Sequence, residues 1–177
     1  MQNKEKSVAF TGHRAEQLPK GVEMLLLKKR LKKEIQKCIE NGYNCFYQGG
    51  SYGWDLLCAS AVIEVKEKLQ SQIKTFALTG SGDFLNIKLI SVVPFKDQAK
   101  NFTEKEKAIY NEILEKSNEV ITLSSDYHKN CYKDRNQYMV DHSAKLIAYW
   151  NGAYRSGTAQ TVRMAEKQNI EIINLYK

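Results

Sequence analysis

Two rhythms of apolar positions divide the chain. Short β-prone runs alternate with longer stretches in which apolar residues return every three or four positions. The rhythm predicts strands at residues 7–10, 44–47, 87–93, 119–123, 146–150 and 170–175. It predicts helices at 22–40, 54–78, 103–116, 132–143 and 156–167. The first helix carries the apolar stripe Val22, Leu26, Leu31, Ile35, Cys38 and Ile39, and Asn41-Gly42 stops it. The second steps through Leu57, Ala61, Val65, Leu69, Ile73 and Phe76 before Thr79-Gly80-Ser81-Gly82 ends it. That crossover is unusually long, and residues 71–86 are either a helix extension or an inserted surface excursion.

Strands that alternate with helices throughout place the chain in the α/β class. The expected architecture is a mostly parallel sheet with helices on both faces, in a single domain of 177 residues that can bury a substantial core. In such sheets ligands collect beyond the carboxyl ends of the strands. Three polar, glycine-containing loops follow the first, second and fifth strands, so all three fall on that edge.

Composition narrows the reading further. No apolar run approaches a membrane span, and the N-terminus has no apolar leader, so a cytoplasmic protein without membrane contact is expected. Cys38, Cys45, Cys58 and Cys131 lack C-x-x-C spacing and read as reduced packing residues. His13, His128 and His142 lack ligand spacing, and no metal is expected. The net charge is +7, but much of it lies in Lys28-Lys29-Arg30-Leu31-Lys32-Lys33, on the solvated side of an amphipathic helix. No aromatic residues interleave there, so nucleic acid is permitted as a partner without being signalled.

The loops carry the candidate chemistry. After the run ending at Trp150, a stretch containing Gly152 and Arg155 leads to Ser156-Gly157-Thr158 at a helix start. The first N–H groups of a helix have no internal partner and suit an anion. A plain βα turn needs the same small residues and cap, so both readings stand for this loop alone. Thr11-Gly12-His13-Arg14 combines flexible backbone, an imidazole and a guanidinium able to grip phosphate, or is a solvated turn. Gly49-Gly50-x-x-Gly53 lacks dinucleotide spacing, yet paired glycines let a ligand lie on the backbone. Asp55 either caps its helix or bonds a ribose hydroxyl. Arg135 and Met139, four apart and flanking Asn136, share a helix face that can hold a phosphate and pack a base. Tyr52, Trp54 and Tyr154 offer stacking surface, whereas Trp150 reads as core. No Ser-His-Asp order, G-x-S-x-G elbow or Walker sequence occurs, and no cofactor is called for.

Five motifs in order then give a resemblance over nearly the whole chain. They are Thr11-Gly12-His13-Arg14, Gly49-Gly50-x-x-Gly53-x-Asp55, Val93-Pro94-Phe95, Arg135-Asn136-Gln137-Tyr138-Met139 and Ser156-Gly157-Thr158-Ala159-Gln160-Thr161-Val162. The chain resembles the YpsA-like proteins of the SLOG superfamily, which also holds the DprA/Smf proteins and the "lonely guy" phosphoribohydrolases. The resemblance implies a Rossmann-like fold, a pocket for nucleotides or nucleotide-derived molecules, a role in bacterial stress or phage-conflict systems, and a homodimer. Placed on this sequence, the amides of Ser156, Gly157 and Thr158 would hold a phosphate, with Arg14, Arg135 and Arg155 as countercharges. Gly12, Gly49 and Gly50 would form the floor, and Asp55 would bond a sugar hydroxyl.

The resemblance also marks a departure. Arg135 and Met139 match the R-x-x-x-M pattern of the "lonely guy" enzymes, but the glutamate of their G-G-x-G-T-x-x-E pattern falls on Thr161. Threonine has no carboxylate to steady an oxocarbenium-like transition state. Binding is therefore expected ahead of catalysis. The alternative is a nucleotide N-glycosidase using Arg135 with Asp55 or Asp141, and a third reading is a DNA-binding or partner-docking module.

Overall fold

The computed structural model describes residues 3–75 and 86–177. Its strands are β1 (Ser7–Gly12), β2 (Cys45–Gln48), β3 (Lys88–Val93), β4 (Glu119–Thr122), β5 (Lys145–Tyr149) and β6 (Glu171–Asn174). Its helices are α1 (Gly21–Glu40), α2 (Trp54–Thr75), α3 (Glu104–Lys116), α4 (Cys131–Asp141) and α5 (Gly157–Lys167). The strands form one sheet in the order β4-β3-β2-β1-β5-β6, with every neighbouring pair parallel. The fold is α/β and Rossmann-like, as the alternation of elements predicts.

Side chains alternate across the central strands, and both faces are covered. Val8 and Phe10 of β1 and Ile147 and Tyr149 of β5 pack with α1, α2 and α3. Ala9, Leu146 and Ala148 point the other way, into a core shared with Met139, Val140, Val162 and Ala165 of α4 and α5. This is why β1 and β5 read as unbroken apolar runs.

The strand order creates the site. The chain begins in mid-sheet, builds outward from β1 to β4, then returns to place β5 on the open side of β1. The connections leaving β1 and β5 therefore run to opposite faces and leave a crevice between them at the carboxyl edge.

The expected stripe of α1 is corrected. The buried line runs through Leu27, Leu31, Ile35, Cys38 and Ile39, while Val22 and Leu26 are 71% and 55% exposed. A step from 26 to 31 turns a helix face by about 140°, whereas the step from 27 to 31 keeps it within about 40°. In α2, Leu56, Cys58, Ala59 and Val62 are buried, and Leu57 is only half-buried. The expected end of that helix at 78, and the terminator Thr79-Gly80-Ser81-Gly82, lie outside the described residues. Trp150 falls just past β5 and is half-buried, its indole Nε1 donating to the Ala153 carbonyl (3.0 Å). Among the described residues, no helix is long and apolar enough to cross a membrane.

Candidate functional site

A cleft of about 200 Å³ lies at the carboxyl edge beside β1. Thr11, Gly12, His13 and Arg14 line it from the end of β1, and Ser51 and Asp55 from the loop after β2 and the start of α2. Arg135, Asn136 and Met139 line it from α4, and Ser156, Gly157 and Thr158 from the start of α5. The three polar loops thus meet as their positions on the sheet require. Phe10, Gln17, Ser51 and Tyr132 also line the cleft without having been singled out by sequence. The serine was legible only as part of a glycine-rich loop, and Gln17 and Tyr132 carry no motif.

Backbone and small side chains fix this meeting of loops. His13 N–H donates to the Tyr149 carbonyl (3.3 Å), and Trp54 N–H donates to the His13 carbonyl (3.1 Å). The His13 ring is buried, and its Nε2 accepts from Asn151 N–H at 3.1 Å. An accepting Nε2 carries no proton, so the neutral ring holds its proton on Nδ1. The imidazole therefore ties the β5 loop to the β1 loop. Arg14 forms an isolated antiparallel bridge with Gly53, whose φ of +121° suits glycine. A Cβ on Gly53 would also lie 2.7 Å from the backbone carbonyl carbon of Arg14.

Arg135 and Asp55 form the fixed centre. Both side chains are buried, at 6% and 7% exposure. Arg135 Nη1 donates to Asp55 Oδ2 (3.2 Å) and Nη2 to Ser51 Oγ (3.2 Å), while Ser51 N–H also donates to Asp55 Oδ2 (3.3 Å). Arg135 Nε is buried without a hydrogen-bond partner. Burial pushes the Asp55 carboxyl above the ordinary carboxylate range, against the pull of the Arg135 guanidinium and the Ser51 N–H. Burial likewise lowers the Arg135 guanidinium from its usual value, opposed by Asp55. Asp55 is the one carboxylate among the described residues that line the cleft.

Two expectations about the floor are corrected. A Cβ on Gly49 would lie 1.3 Å from Arg135 Nη1, so the guanidinium already occupies the space above that backbone. Gly50 has φ +67° and faces Tyr110 and Gln98; its N–H donates to Gln48 Oε1, and its cradle is a buried polar network. The glycine pair serves the protein's own arginine and turn and does not line the cleft. Gly152 (φ +83°) and Arg155 are exposed and also lie outside the cleft lining.

One end of the cleft is built from the start of α5. Ser156 caps the helix, its Oγ accepting from Ala159 N–H (3.0 Å). The N–H groups of Gly157 and Thr158 have no acceptor among the described residues. Across the cleft the exposed Arg14 guanidinium has no ion-pair partner among the described residues. Thr161 is fully buried, outside the cleft lining, and its Oγ1 donates to the Gly157 carbonyl (3.0 Å), so it offers nothing to a substrate. Asp141 is exposed at the end of α4, accepting from Gln137 and Gln168, and does not line the cleft.

The expected stacking residues are elsewhere. Trp54 is core, stacked on Tyr149 with centroids 5.2 Å apart, and a Cβ on Gly12 would lie 2.4 Å from its ring. Tyr154 is exposed under the Arg163 guanidinium, and Tyr52 packs against Phe102. Of the aromatic residues that line the cleft, Phe10 and His13 are buried and Tyr132 is half-buried, edge-on to Phe95 (5.9 Å).

Known proteins share this architecture. The chain is 28% identical over 162 residues to the uncharacterized SPbeta prophage-derived protein YoqJ of Bacillus subtilis, covering 84% of this chain and 85% of the relative. It is 20% identical over 182 residues to a UPF0398 protein of Macrococcus caseolyticus, covering 96% and 91% of the two chains. Among solved structures, it is similar to DNA processing protein A of Streptococcus pneumoniae (TM-score 0.61, 19% identity) over 96% of this chain and 50% of that one. It is also similar to the Helicobacter pylori protein of that name, described for its single-stranded DNA binding mode (TM-score 0.59, 17% identity), over 96% and 64%. The chain spans about half to two thirds of the length of those two structures. Residues 8–176 match the family model YpsA, described as "YspA SLOG family", and the chain accordingly belongs to the YpsA family of SLOG proteins.

Proposed function

We propose that the cleft binds a nucleotide or nucleotide-derived molecule by its phosphate, and that the protein acts by binding this ligand. The observation that carries the reading is the pairing of two donor sets across one cleft. The amides of Gly157 and Thr158, without an acceptor among the described residues, line the same cleft as Arg14, which has no ion-pair partner among them. Arg135 adds a buried positive charge, already oriented by Asp55 and Ser51. A relative described by its single-stranded DNA binding is consistent with a ligand of nucleotide chemistry. The prophage origin of another relative agrees with a place in phage-conflict or stress signalling.

Calorimetric titration with nucleoside mono-, di- and cyclic phosphates, and with the parent nucleosides, tests this. A phosphate-bearing ligand is expected to bind at least roughly tenfold more tightly than its nucleoside. Gly157→Asp, which sets a carboxylate before the free amides, is expected to abolish the difference. An affinity unchanged in Gly157→Asp and in Arg14→Ala would sink the placement.

A second reading draws on one observation: Asp55 is the one carboxylate among the described residues that line the cleft, and a carboxylate is the group that steadies an oxocarbenium-like transition state. It makes the protein a nucleotide N-glycosidase. Chromatography for free base released from nucleoside monophosphates decides between the readings, and release that disappears in Asp55→Asn would reverse the order.

A further inference from the structure

The back of the same loops forms a second depression, a groove of about 430 Å³ between α1, α2 and the start of α3. Its apolar lining comes from Leu18, Met24, Leu57, Ala61 and Ile109, and its rim from Lys28, Lys32 and Lys105. Glu64, the one carboxylate among the described residues of the lining, is already paired with Lys32. Lys28 and Lys105 are exposed and have no ion-pair partner among the described residues. At the same end of α1, Val22 and Leu25 are 71% and 65% exposed.

We propose that this groove docks an amphipathic helix of a partner protein, with apolar side chains in the groove and acidic residues against Lys28 and Lys105. Charge complementarity selects the partner. An apolar floor with two rim lysines, Lys28 and Lys105, that lack an ion-pair partner among the described residues attracts a segment that is both apolar and acidic. A second copy of this chain is a poor match, because its net charge is +7 and α1, its most amphipathic long helix, is lysine-rich. The floor selects the helical form. The sheet's open edges are β4 and β6, and neither contributes to the groove. An extended peptide would press unpaired main-chain groups against apolar side chains, whereas a helix pairs its own.

The test uses the whole protein and a labelled peptide of about 18 residues, long enough to sustain a helix. The peptide carries leucine at every third or fourth position and glutamate beside each leucine; a control replaces each glutamate with lysine. Fluorescence anisotropy is expected to show the acidic peptide binding at least about tenfold more tightly than the control. The double variant Lys28→Glu, Lys105→Glu, checked for folding by circular dichroism, is expected to reverse that order. Equal binding of the two peptides, or an affinity indifferent to the double variant, overturns the proposal. So does sedimentation showing a dimer that the double variant dissolves, which would make the occupant a second copy. Binding to phosphatidylglycerol vesicles that is lost in the same variant overturns it as well, in favour of a lipid surface. The proposal is independent of what the cleft binds.

Discussion

Gly49 and the Arg135 guanidinium share a volume that only one side chain can fill. A methyl group at position 49 must expel the guanidinium, and Asp55 is then buried without its countercharge. Gly49→Ala is therefore expected to cost about 3 kcal/mol in urea unfolding, the scale of breaking a buried pair from one side. Arg135→Met should cost a similar amount, whereas Arg135→Met combined with Asp55→Leu should recover most of it. An additive double variant would show that the pair is not coupled. Sequence reading reached Arg135 through its four-residue spacing from Met139, because a helix places such residues on one face. It misassigned Gly49, because nothing in a glycine pair says whether a ligand or the protein's own side chain will lie on it. A second residue-scale effect concerns pH. Burial raises the Cys38 thiol from 9.0 to about 11. Between those values the unfolded chain loses the thiol proton and the native state keeps it, so stability falls as pH rises across that window. The expected loss from this one group is up to about 2 kcal/mol, and Cys38→Ala should flatten the stability profile between pH 9 and 11.

Among the elements, α5 carries the amides on which the proposed ligand binding rests. Its cap, Ser156, holds Ala159 N–H, and the two preceding amides have no acceptor among the described residues. Ser156→Ala is expected to cost about 1 kcal/mol in denaturant unfolding. It should also weaken any phosphate ligand, since a frayed first turn no longer aims its amides; unchanged affinity would place the phosphate elsewhere. The start of α5 was legible because a serine-glycine-threonine run after an apolar strand has few other uses. The inward face of α1 was not, because four consecutive apolar residues, Met24 to Leu27, fit several stripes. Only packing against the sheet chooses Leu27 over Leu26. Thr161 shows both sides of the matter. Its identity argued against a glutamate-dependent cleavage from sequence alone, and the structure adds that its hydroxyl is spent on the Gly157 carbonyl.

For the molecule as a whole, the apolar rhythm announced parallel strands and covered faces, but not their order. That β5 returns beside β1 depends on how long crossovers pack, which no local pattern encodes. The order has a measurable consequence. Strands β1, β2 and β5 lie inside the sheet, while β4 and β6 have one neighbour each. Amide hydrogen exchange is expected to be slowest in Val8–Thr11 and at Phe46, approaching global unfolding, and markedly faster in β4. Rapid exchange in β1 would contradict the sheet order.

The loops after β1 and β2 place successive residues on opposite sides. Arg14, Gln17 and Ser51 line the cleft, while Ala15, Leu18, Tyr52 and Gly53 line the groove behind it. Neighbouring residues of the same two loops thus face both cavities, joined at the Arg14–Gly53 bridge. A molecule that stiffens these loops from the front is expected to change the affinity of a molecule at the back. Whatever factor a cleft ligand applies to the affinity of a helix in the groove, the helix must apply to the ligand, because the two routes around the thermodynamic square have the same sum. Titrating the acidic peptide with and without a bound nucleotide, and the nucleotide with and without the peptide, would measure that factor twice.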